Sequence, residues 1–308
     1  MNALVLKKST VVRKMIEIAS VRVSFALGGL IAPRATAVRA ARLFGTPFGR
    51  GRERARTAAD AGAQCSWIDV GGVRLALYVW GDPSTQPYVL LAHGWSSYAL
   101  RFMTWVQALR AEGYAVVAFD QRGHGRSDGD LATLPDFVRG IDAVGRRFGK
   151  AAAVIGHSFG GAAAAIALRD GLRAERCVLL APAADLDAAT SRFARFIGLG
   201  ERLRLRMNRV LESWTSIVIA DVQAHLDVAT IGTPALIVHD LEDRDVPWSE
   251  GERYARYWPD ARLMTTQKLG HDRVLDDHGV IAAALRFLRG EIVGERVVST
   301  PNLPYGVA

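Results

Sequence analysis

Short apolar runs that end at polar or turn residues recur along the chain and predict buried β-strands. Two runs joined by Gly71 and Gly72 predict an opening hairpin, because paired glycines suit a two-residue turn. The predicted strands cover residues 66–70, 73–80, 88–92, 115–119, 151–155, 177–180, 235–238 and 261–266.

Segments with helical periodicity lie between these runs, at residues 100–111, 136–148, 160–169 and 278–288. Strands that alternate with helices are typical of a mostly parallel sheet covered by helices. The sequence therefore predicts an α/β fold, with helices on both faces of a mostly parallel central sheet. This core is expected to span residues 61–184 and 229–295, followed by a C-terminal tail at 296–308.

Residues 185–228 interrupt the alternation with a stretch rich in Arg, Leu and Ala. Its residues have helical periodicity, and it lies between two predicted strands. It predicts a short inserted helical lid over the carboxyl edge of the sheet. A plain surface excursion is the alternative, although long unstructured connections are uncommon.

The net charge of +8 is concentrated at the N-terminus. Residues 1–60 hold twelve basic and three acidic residues, a balance of +9, which leaves −1 for the other 248 residues. A near-neutral body does not favour a nucleic-acid substrate. The predicted partner of the body is a small molecule, and the composition does not indicate an oligomeric state.

Residues 1–60 form a basic, partly amphipathic extension. The apolar run 23–32 is too short to span a bilayer, and residues 32–44 alternate arginine with apolar residues at helical spacing. We expect a helix that packs on the body or lies on an anionic membrane surface, followed by a linker at 45–51. A signal or anchor segment is the alternative, and Met15 is a second candidate start. The expected location is cytoplasmic with peripheral membrane contact, or export under the alternative.

Cys65 and Cys177 lie far apart and beside predicted strands. Neither has the spacing of a metal-ligand pair, so we expect two small buried thiols and no disulfide. This usage fits a reducing compartment.

The sharpest motif is Gly156-His157-Ser158-Phe159-Gly160, which follows an apolar strand and opens a helix of small residues. A nucleophilic serine needs this strand-to-helix turn, because the turn projects the hydroxyl clear of the backbone. Ser158 is the predicted nucleophile.

A second motif, His93-Gly94-Trp95-Ser96, follows the strand at 88–92. Its position predicts an oxyanion loop, in which the backbone N–H of Trp95 joins that of Phe159. An ordinary strand-ending turn is the alternative.

These motifs, together with residues 120–127 (DQRGHGRS), Asp243 and His271, resemble the α/β-hydrolase fold superfamily in order and spacing. The resemblance covers about residues 66–288 and leaves out residues 1–60 and the predicted lid. It implies a structural turn at 120–127. It also points to the serine branch, because the dehalogenases and epoxide hydrolases of this fold carry aspartate at the nucleophile position.

The acid and base are expected in the C-terminal third. Similar hydrolases carry G-x-x-D-x-x-V-P after the penultimate strand, which places Asp243 at the acid position, with Asp240 where glycine is common. Asp245 and Asp185 are the rival acids. His271 follows the last strand, and the order Ser, Asp, His favours it as the base.

No pair of histidines has metal-ligand spacing, so neither a metal nor a cofactor is expected. His157 and three tryptophans near the predicted mouth are candidate pocket residues, although core packing explains the tryptophans nearly as well. The tryptophans are Trp105, Trp214 and Trp248.

The predicted reaction is hydrolysis of a carboxylic ester or thioester through an acyl-enzyme on Ser158. An acyltransferase, a cofactor-free perhydrolase or a C–C bond hydrolase with the same triad is the second hypothesis. A non-enzymatic binding or membrane-adaptor protein is the third.

Overall fold

The computed structural model describes residues 18–297, apart from the side chains of residues 224 and 225. Residues 1–17 and the tail at 298–308 lie outside the described part. The described residues form two compact units. We call residues 18–45 with 186–221 the helical unit, and residues 46–185 with 222–297 the sheet unit.

The sheet unit contains one eight-stranded sheet. Its strands are β1 (Gln64–Val70), β2 (Val73–Trp80), β3 (Tyr88–Ala92), β4 (Ala115–Phe119), β5 (Ala151–His157), β6 (Ala174–Leu180), β7 (Ala235–Asp240) and β8 (Ala261–Thr266). They lie in the order β1-β2-β4-β3-β5-β6-β7-β8. The strands β1 and β2 are antiparallel to their neighbours, and the pairs from β3 onward are parallel. The predicted α/β class with a mostly parallel sheet is confirmed.

Helices connect these strands in the manner of a parallel sheet. The helices of this unit are α3 (Gly49–Thr57), α4 (Met103–Ala111), α5 (Leu134–Phe148), α6 (Phe159–Arg169), α9 (Ala224–Asp227), α10 (Trp248–Tyr257), α11 (Gly270–Arg273) and α12 (His278–Leu288), with a 3-10 turn at Ala99–Phe102. Helix α4 contacts β4, α6 contacts β5, and α5 contacts α6.

The burial of each strand follows its place in the sheet. Every residue of β3 and β4 is buried, as the continuous apolar runs predict for interior parallel strands. Strand β1 alternates between exposed and half-buried residues, because it forms the edge of the sheet. Gly71 and Gly72 have φ of +62° and +81°, and they close the predicted hairpin where Val70 pairs with Val73.

The helical unit has its own apolar core, formed around Phe25, Ala40, Met207 and Leu211. Its helices are α1 (residues 18–31), α2 (Pro33–Gly45), α7 (Leu186–Ile197) and α8 (Glu201–Thr215), with a 3-10 turn at Ile219–Asp221. Helices α2 and α8 contact each other. The N-terminal extension therefore packs on the inserted helices of the same unit.

One buried cation joins the two inserted helices. The guanidinium of Arg204, 8% exposed, lies 2.5 Å from a carboxylate oxygen of Asp187 and 2.7 Å from one of Glu201. It also donates to the Thr190 hydroxyl at 3.0 Å. The two carboxylates offset the cost of burying this charge.

The predicted extension does not behave as one segment. Residues 45–51, predicted as a linker, include the start of helix α3, which belongs to the sheet unit. Arg52 of that helix donates to the Ser127 carbonyl at 2.6 Å. A Cβ on Gly51 would overlap the Ser96 carbonyl oxygen, so the glycine permits a close approach. Arg52, which directly follows the predicted linker, is thus anchored to the loop carbonyls of Ser127 and Gly129.

The inserted helices span Leu186–Asp221, a shorter segment than the predicted 185–228. Asp185 forms a bridge with Gln223, and Asp227 pairs with Arg169, so these flanks belong to the sheet unit. The role of the insertion as a lid stays a prediction.

Two further expectations concern the cysteines and membrane-spanning helices. Neither cysteine forms a disulfide; Cys177 is buried as expected, but Cys65 is exposed because it lies on edge strand β1. Within residues 18–297, no helix combines the length and hydropathy that crossing a bilayer requires.

Candidate active site

The predicted site residues lie at one edge of the sheet because their strands are parallel. His93 follows β3, Ser158 follows β5, Asp243 follows β7 and His271 follows β8. Ala92 of β3 pairs with Gly156 of β5, so the two predicted motif loops begin side by side. After β3 the chain forms β4 on one side of it and then crosses over to form β5 on its other side. Such a reversal of strand order opens a crevice at the carboxyl edge of the sheet.

Ser158 lies at a strained turn between β5 and α6. Its φ is +53° and its ψ −121°, a conformation that costs a side chain other than glycine about 1–3 kcal/mol. The Ser158 N–H donates to the Leu180 carbonyl at 2.9 Å, and the Gly161 N–H donates to the Ser158 carbonyl at 3.0 Å. These bonds keep the hydroxyl-bearing residue in this conformation.

The glycines around Ser158 allow three backbone segments to meet. A Cβ on Gly156 would lie 2.7 Å from the Gly161 Cα, and one on Gly94 would lie 2.9 Å from the Ser158 Cβ. A Cβ on Gly160 would overlap the His93 carbonyl oxygen. The glycine spacing of the motif thus reflects contact between β5, α6 and the loop after β3.

The three predicted triad side chains form one hydrogen-bonded chain. His271 Nε2 lies 2.9 Å from Ser158 Oγ, and His271 Nδ1 lies 2.7 Å from Asp243 Oδ2. The other carboxylate oxygen of Asp243 accepts from the backbone N–H groups of Asp245 and Val246, each at 2.9 Å. Because Nδ1–H donates to the carboxylate, Nε2 is left to accept the serine proton.

Electrostatics favour a charged acid beside the base. Burial raises the pKa of Asp243, but hydrogen bonds from His239, His271 and Val246 outweigh it, and the net pKa lies below its usual range. Burial lowers the pKa of His271, but the hydrogen bond and charge of Asp243 raise it above the ordinary 6.5. The pair is arranged to stabilise an imidazolium when His271 takes a proton.

The rival acids have other partners. The Asp245 backbone N–H donates to Asp243, and the Asp245 side chain is exposed. Asp185 pairs with Arg253 at 3.1 Å. Asp243 is the acid that contacts the imidazole of His271.

Asp240, which replaces the glycine common in similar hydrolases, joins the acid loop to the base loop. Its Oδ2 accepts from the Thr266 hydroxyl at 2.8 Å and the Leu269 N–H at 3.0 Å, while its Oδ1 accepts from the Glu242 N–H at 2.9 Å. A further bond comes from the Gly270 N–H. Asp240 is fully buried, and burial, which raises its pKa, is outweighed by these donors. In the sequence, Asp240 was notable only as the replacement of a glycine that is common in similar hydrolases.

A second histidine that sequence reasoning missed lies behind the acid. His239 Nε2 is 3.0 Å from the Val246 carbonyl oxygen, to which it donates, and 3.4 Å from Asp243 Oδ2. Both side chains have no exposed area. The carboxylate of Asp243 therefore lies between two imidazoles. The signal in the sequence was a histidine four residues before the acid.

His157 contacts the base rather than an open surface. It is 4% exposed, and its Nε2 donates to the His271 carbonyl at 3.0 Å. The two imidazole centroids are 4.8 Å apart. Burial first, and then the nearby charge of His271, lower the pKa of His157 to about 3, so the ring stays neutral. A pocket role for His157 stays a prediction, and the contact that the structure shows is with the loop of His271.

The two predicted oxyanion residues are neighbours. The rings of Trp95 and Phe159 contact edge to face, with centroids 5.6 Å apart. Phe159 is the first residue of α6, where helix N–H groups lack intrahelical acceptors. In the loop after β3, His93 Nε2 accepts a hydrogen bond from the Gln121 N–H at 3.0 Å. The proton of His93 is therefore on Nδ1, which donates to the Gly94 carbonyl at 2.8 Å. The oxyanion role of Trp95 and Phe159 stays a prediction.

The tryptophan candidates differ in their surroundings. Trp105 is fully buried in the main core and donates to the Leu275 carbonyl at 2.8 Å, so its assignment to the pocket was wrong. Trp105 lies on the buried face of helix α4, which faces the core rather than the predicted pocket mouth. Trp248 donates to the Thr265 hydroxyl at 3.1 Å, and Trp214 belongs to the helical unit with 40% of its area exposed. A pocket role for these two stays a prediction.

The segment 120–127 has the structural role that the resemblance implied. Asp120 is buried and accepts from the Ala99 N–H at 2.7 Å, the Arg126 N–H at 2.8 Å and the Tyr78 hydroxyl at 2.9 Å. A Cβ on Gly125 would overlap the Asp120 carboxylate. The turn therefore closes tightly around one buried carboxylate.

This sheet, with an acid, a base and a hydroxyl at its carboxyl edge, has the α/β-hydrolase fold, and comparison with known proteins supports that fold. The sequence model of the family described as "Serine aminopeptidase, S33" matches residues 83–216. That match includes Ser158 and ends before Asp243 and His271.

Solved structures support the same fold at low sequence identity. A hydrolase from Pseudomonas aeruginosa PA01 superposes with a TM-score of 0.60 at 20% identity, over 75% of this chain and 100% of that one. Carboxylesterase CesB from Bacillus subtilis gives 0.59 at 17% identity, over 82% and 100%. The ferulic-acid complex of Est1E from Butyrivibrio proteoclasticus gives 0.58 at 21% identity, over 73% and 98%.

Two curated relatives match over short segments. A monoacylglycerol lipase of Mycolicibacterium smegmatis is 45% identical over 73 residues, which cover 23% of this chain and 26% of the relative. Epoxide hydrolase A of Mycobacterium tuberculosis is 43% identical over 60 residues, 20% of this chain and 18% of the relative. The chain thus matches only about a quarter or less of the length of either protein.

Proposed function

We propose that this protein is a serine hydrolase that cleaves carboxylic esters through an acyl-enzyme on Ser158. The observation that carries the proposal is the chain from Ser158 Oγ to His271 Nε2, 2.9 Å, and from His271 Nδ1 to Asp243 Oδ2, 2.7 Å. A base within hydrogen-bond reach of the nucleophile, itself oriented by a third group, is the arrangement that activates a serine hydroxyl.

The proposed reaction has two halves. Ser158 Oγ attacks the ester carbonyl while His271 Nε2 takes the hydroxyl proton, and Asp243 stabilises the resulting imidazolium. The imidazolium then gives that proton to the departing alkoxide, which leaves an acyl ester on Ser158. Water, deprotonated by His271, attacks this ester and releases the acid.

The N–H groups of Trp95 and Phe159 are the proposed donors to the negative oxygen of the tetrahedral intermediates. Each donor of this kind contributes about 3 kcal/mol in enzymes where it has been removed. The pairing of Ala92 with Gly156 supports this placement, because it brings the loop after β3 beside the turn that holds Ser158.

For the substrate, we propose glycerol esters with a single acyl chain as the first class to assay. The support is the segment shared with a monoacylglycerol lipase, together with the fold shared with a carboxylesterase. Epoxide opening is not proposed, because the position that attacks carries Ser158 rather than an aspartate. Thioesters remain substrates to assay beside the oxygen esters.

A fluorophosphonate probe and a substrate panel test the proposal. We expect the probe to label wild type at Ser158 and to leave Ser158→Ala unlabelled. Monoacylglycerols and p-nitrophenyl esters should be hydrolysed, and aminoacyl p-nitroanilides, suggested by the aminopeptidase family match, should react far more slowly. An unlabelled wild type would contradict the proposal and favour a binding protein.

The second candidate reaction is acyl transfer on the same triad. It is distinguished from hydrolysis by how the acyl group divides between water and an added acceptor. Methanol, glycerol or hydrogen peroxide is added to the ester assay and the products are counted. We expect free acid to predominate at low acceptor concentration. Preferential transfer to an acceptor in dilute solution would identify an acyltransferase or a perhydrolase instead, and cleavage of a β-diketone would identify a C–C bond hydrolase.

A further inference from the structure

Helix α1 carries an exposed apolar stripe. Val23, Leu27, Leu30 and Ile31 are 56%, 55%, 83% and 83% exposed. Their spacing of four, three and one residues places them on one face of a helix. Single exposed leucines are normal on protein surfaces, but a contiguous apolar stripe indicates a binding surface.

The opposite face of the same helix already has its packing partners. Phe25 is fully buried in the core of the helical unit, with Val21 packed against that core. Gly29 lies close to Leu203, since a Cβ there would meet the leucine side chain. The helix is therefore apolar on two faces, and its packing within the unit accounts for only one of them.

The helical unit that carries the stripe has a positive net charge. Residues 18–45 contain Arg22, Arg34, Arg39 and Arg42 and no acidic residue. With 186–221 the helical unit has ten arginines and four acidic residues, a balance of +6. The sequence of residues 1–17 raises this to +9, so the rest of the chain sums to −1. Two of the four acids, Asp187 and Glu201, are paired with buried Arg204.

We propose that the stripe Val23–Leu27–Leu30–Ile31 docks on an anionic phospholipid bilayer, to which the positive charge of the helical unit attracts it. An exposed apolar helix face on a positively charged unit is held at the interface of an anionic membrane by burial of apolar area and by attraction to anionic lipids. Charge selects the lipid over a second copy of this chain, because two copies would bring two units of +6 together. The proposal is independent of the proposed function.

Vesicle co-sedimentation of the full chain tests the proposal. We expect wild type to pellet with vesicles of phosphatidylcholine and phosphatidylglycerol, and at least about tenfold less with phosphatidylcholine alone, because the charge term disappears. Added salt should release it from the anionic vesicles. Wild type that stays in the supernatant with anionic vesicles would overturn the proposal.

Matched substitutions locate the surface. Leu30→Asn with Ile31→Asn removes the most exposed pair without changing charge, and binding to anionic vesicles should fall about tenfold or more. The control is Ile292→Asn, a 74% exposed isoleucine of the sheet unit, which should bind as wild type does. Equal binding of the double variant and wild type would overturn the proposal.

Three readouts distinguish the other outcomes. Thermal unfolding of the double variant should match that of wild type, because the substituted side chains are exposed. Ser158→Ala should bind vesicles as wild type does, so a failed catalytic proposal leaves this one standing. A wild-type dimer in light scattering that Leu30→Asn with Ile31→Asn dissociates, without vesicle binding, would show that a second copy covers the stripe and would overturn the proposal.

Discussion

Asp240 Oδ2 accepts a hydrogen bond from the Leu269 N–H at 3.0 Å and thereby ties the loop of the acid to the loop of the base. Asp240 ends β7 and Leu269 lies two residues before His271. The distance between Asp243 and His271 thus depends on a carboxylate that touches neither the nucleophile nor the imidazole ring.

Asp240→Asn should therefore reduce catalysis without removing a triad member. An amide can accept at only one of the two oxygen positions and places an NH₂ group against backbone donors. We expect kcat/KM for an ester to fall about 10- to 100-fold, because small displacements of a catalytic group have costs of this order. The reduction should be mainly in kcat, while probe labelling of Ser158 slows in parallel.

The matched control for Asp240→Asn is Glu242→Gln, which changes an exposed carboxylate in the same loop. It should retain wild-type kcat/KM. If both variants retain wild-type activity, Asp240 does not position the base.

The pH dependence should report His271. The imidazole must be neutral to take the proton of Ser158, and the carboxylate of Asp243 raises the pKa of His271 above 6.5. Activity should therefore be full at higher pH and lost as the pH falls through a midpoint above 6.5. The measurement is kcat/KM against pH in buffers of constant ionic strength.

Asp243→Asn should move that midpoint downward and lower kcat by about 10⁴-fold, as removal of the orienting carboxylate does in comparable triads. Burial, which lowers the pKa of His271, then acts without the opposing carboxylate. An unchanged midpoint would show that a different group controls the acid limb.

Gly160→Ala should destabilise the protein. The new Cβ would overlap the backbone carbonyl of His93, and backbone cannot move aside as a flexible side chain can. Overpacking of this kind costs about 1–3 kcal/mol. Urea unfolding should show a lower midpoint at an unchanged slope, and ester hydrolysis should fall.

Gly232→Ala is the control for Gly160→Ala, because no atom lies within 4 Å of the corresponding Cβ. Its unfolding midpoint should stay near that of wild type. Equal midpoints for the two variants would mean that β3 and α6 are not in close contact.

Much of the sheet could be predicted because its strands are continuous apolar runs between turn residues. Strands β3, β4 and β8 and helix α12 have the predicted bounds, since each begins and ends where the polarity changes. The site motifs follow these strands, so their common edge was also predictable. Asp243 was preferred over Asp245 on loop position, and it is the carboxylate that contacts His271.

Other features depend on tertiary contacts that no local pattern encodes. The bonds from Asp240 to Thr266 and Leu269 join residues more than twenty positions apart, so the sequence showed only a departure from glycine. The core position of Trp105 depends on a bond to Leu275. The packing of the N-terminal helices on the inserted helices likewise joins distant segments.

The most direct test of the central claim is rapid-quench mass spectrometry with p-nitrophenyl butyrate. The account predicts a burst of p-nitrophenol of about one equivalent per enzyme, with a butyryl group on the peptide that contains Ser158. Ser158→Ala should show neither the burst nor the modified peptide. A butyryl group on another residue, or wild-type turnover by Ser158→Ala, would contradict it.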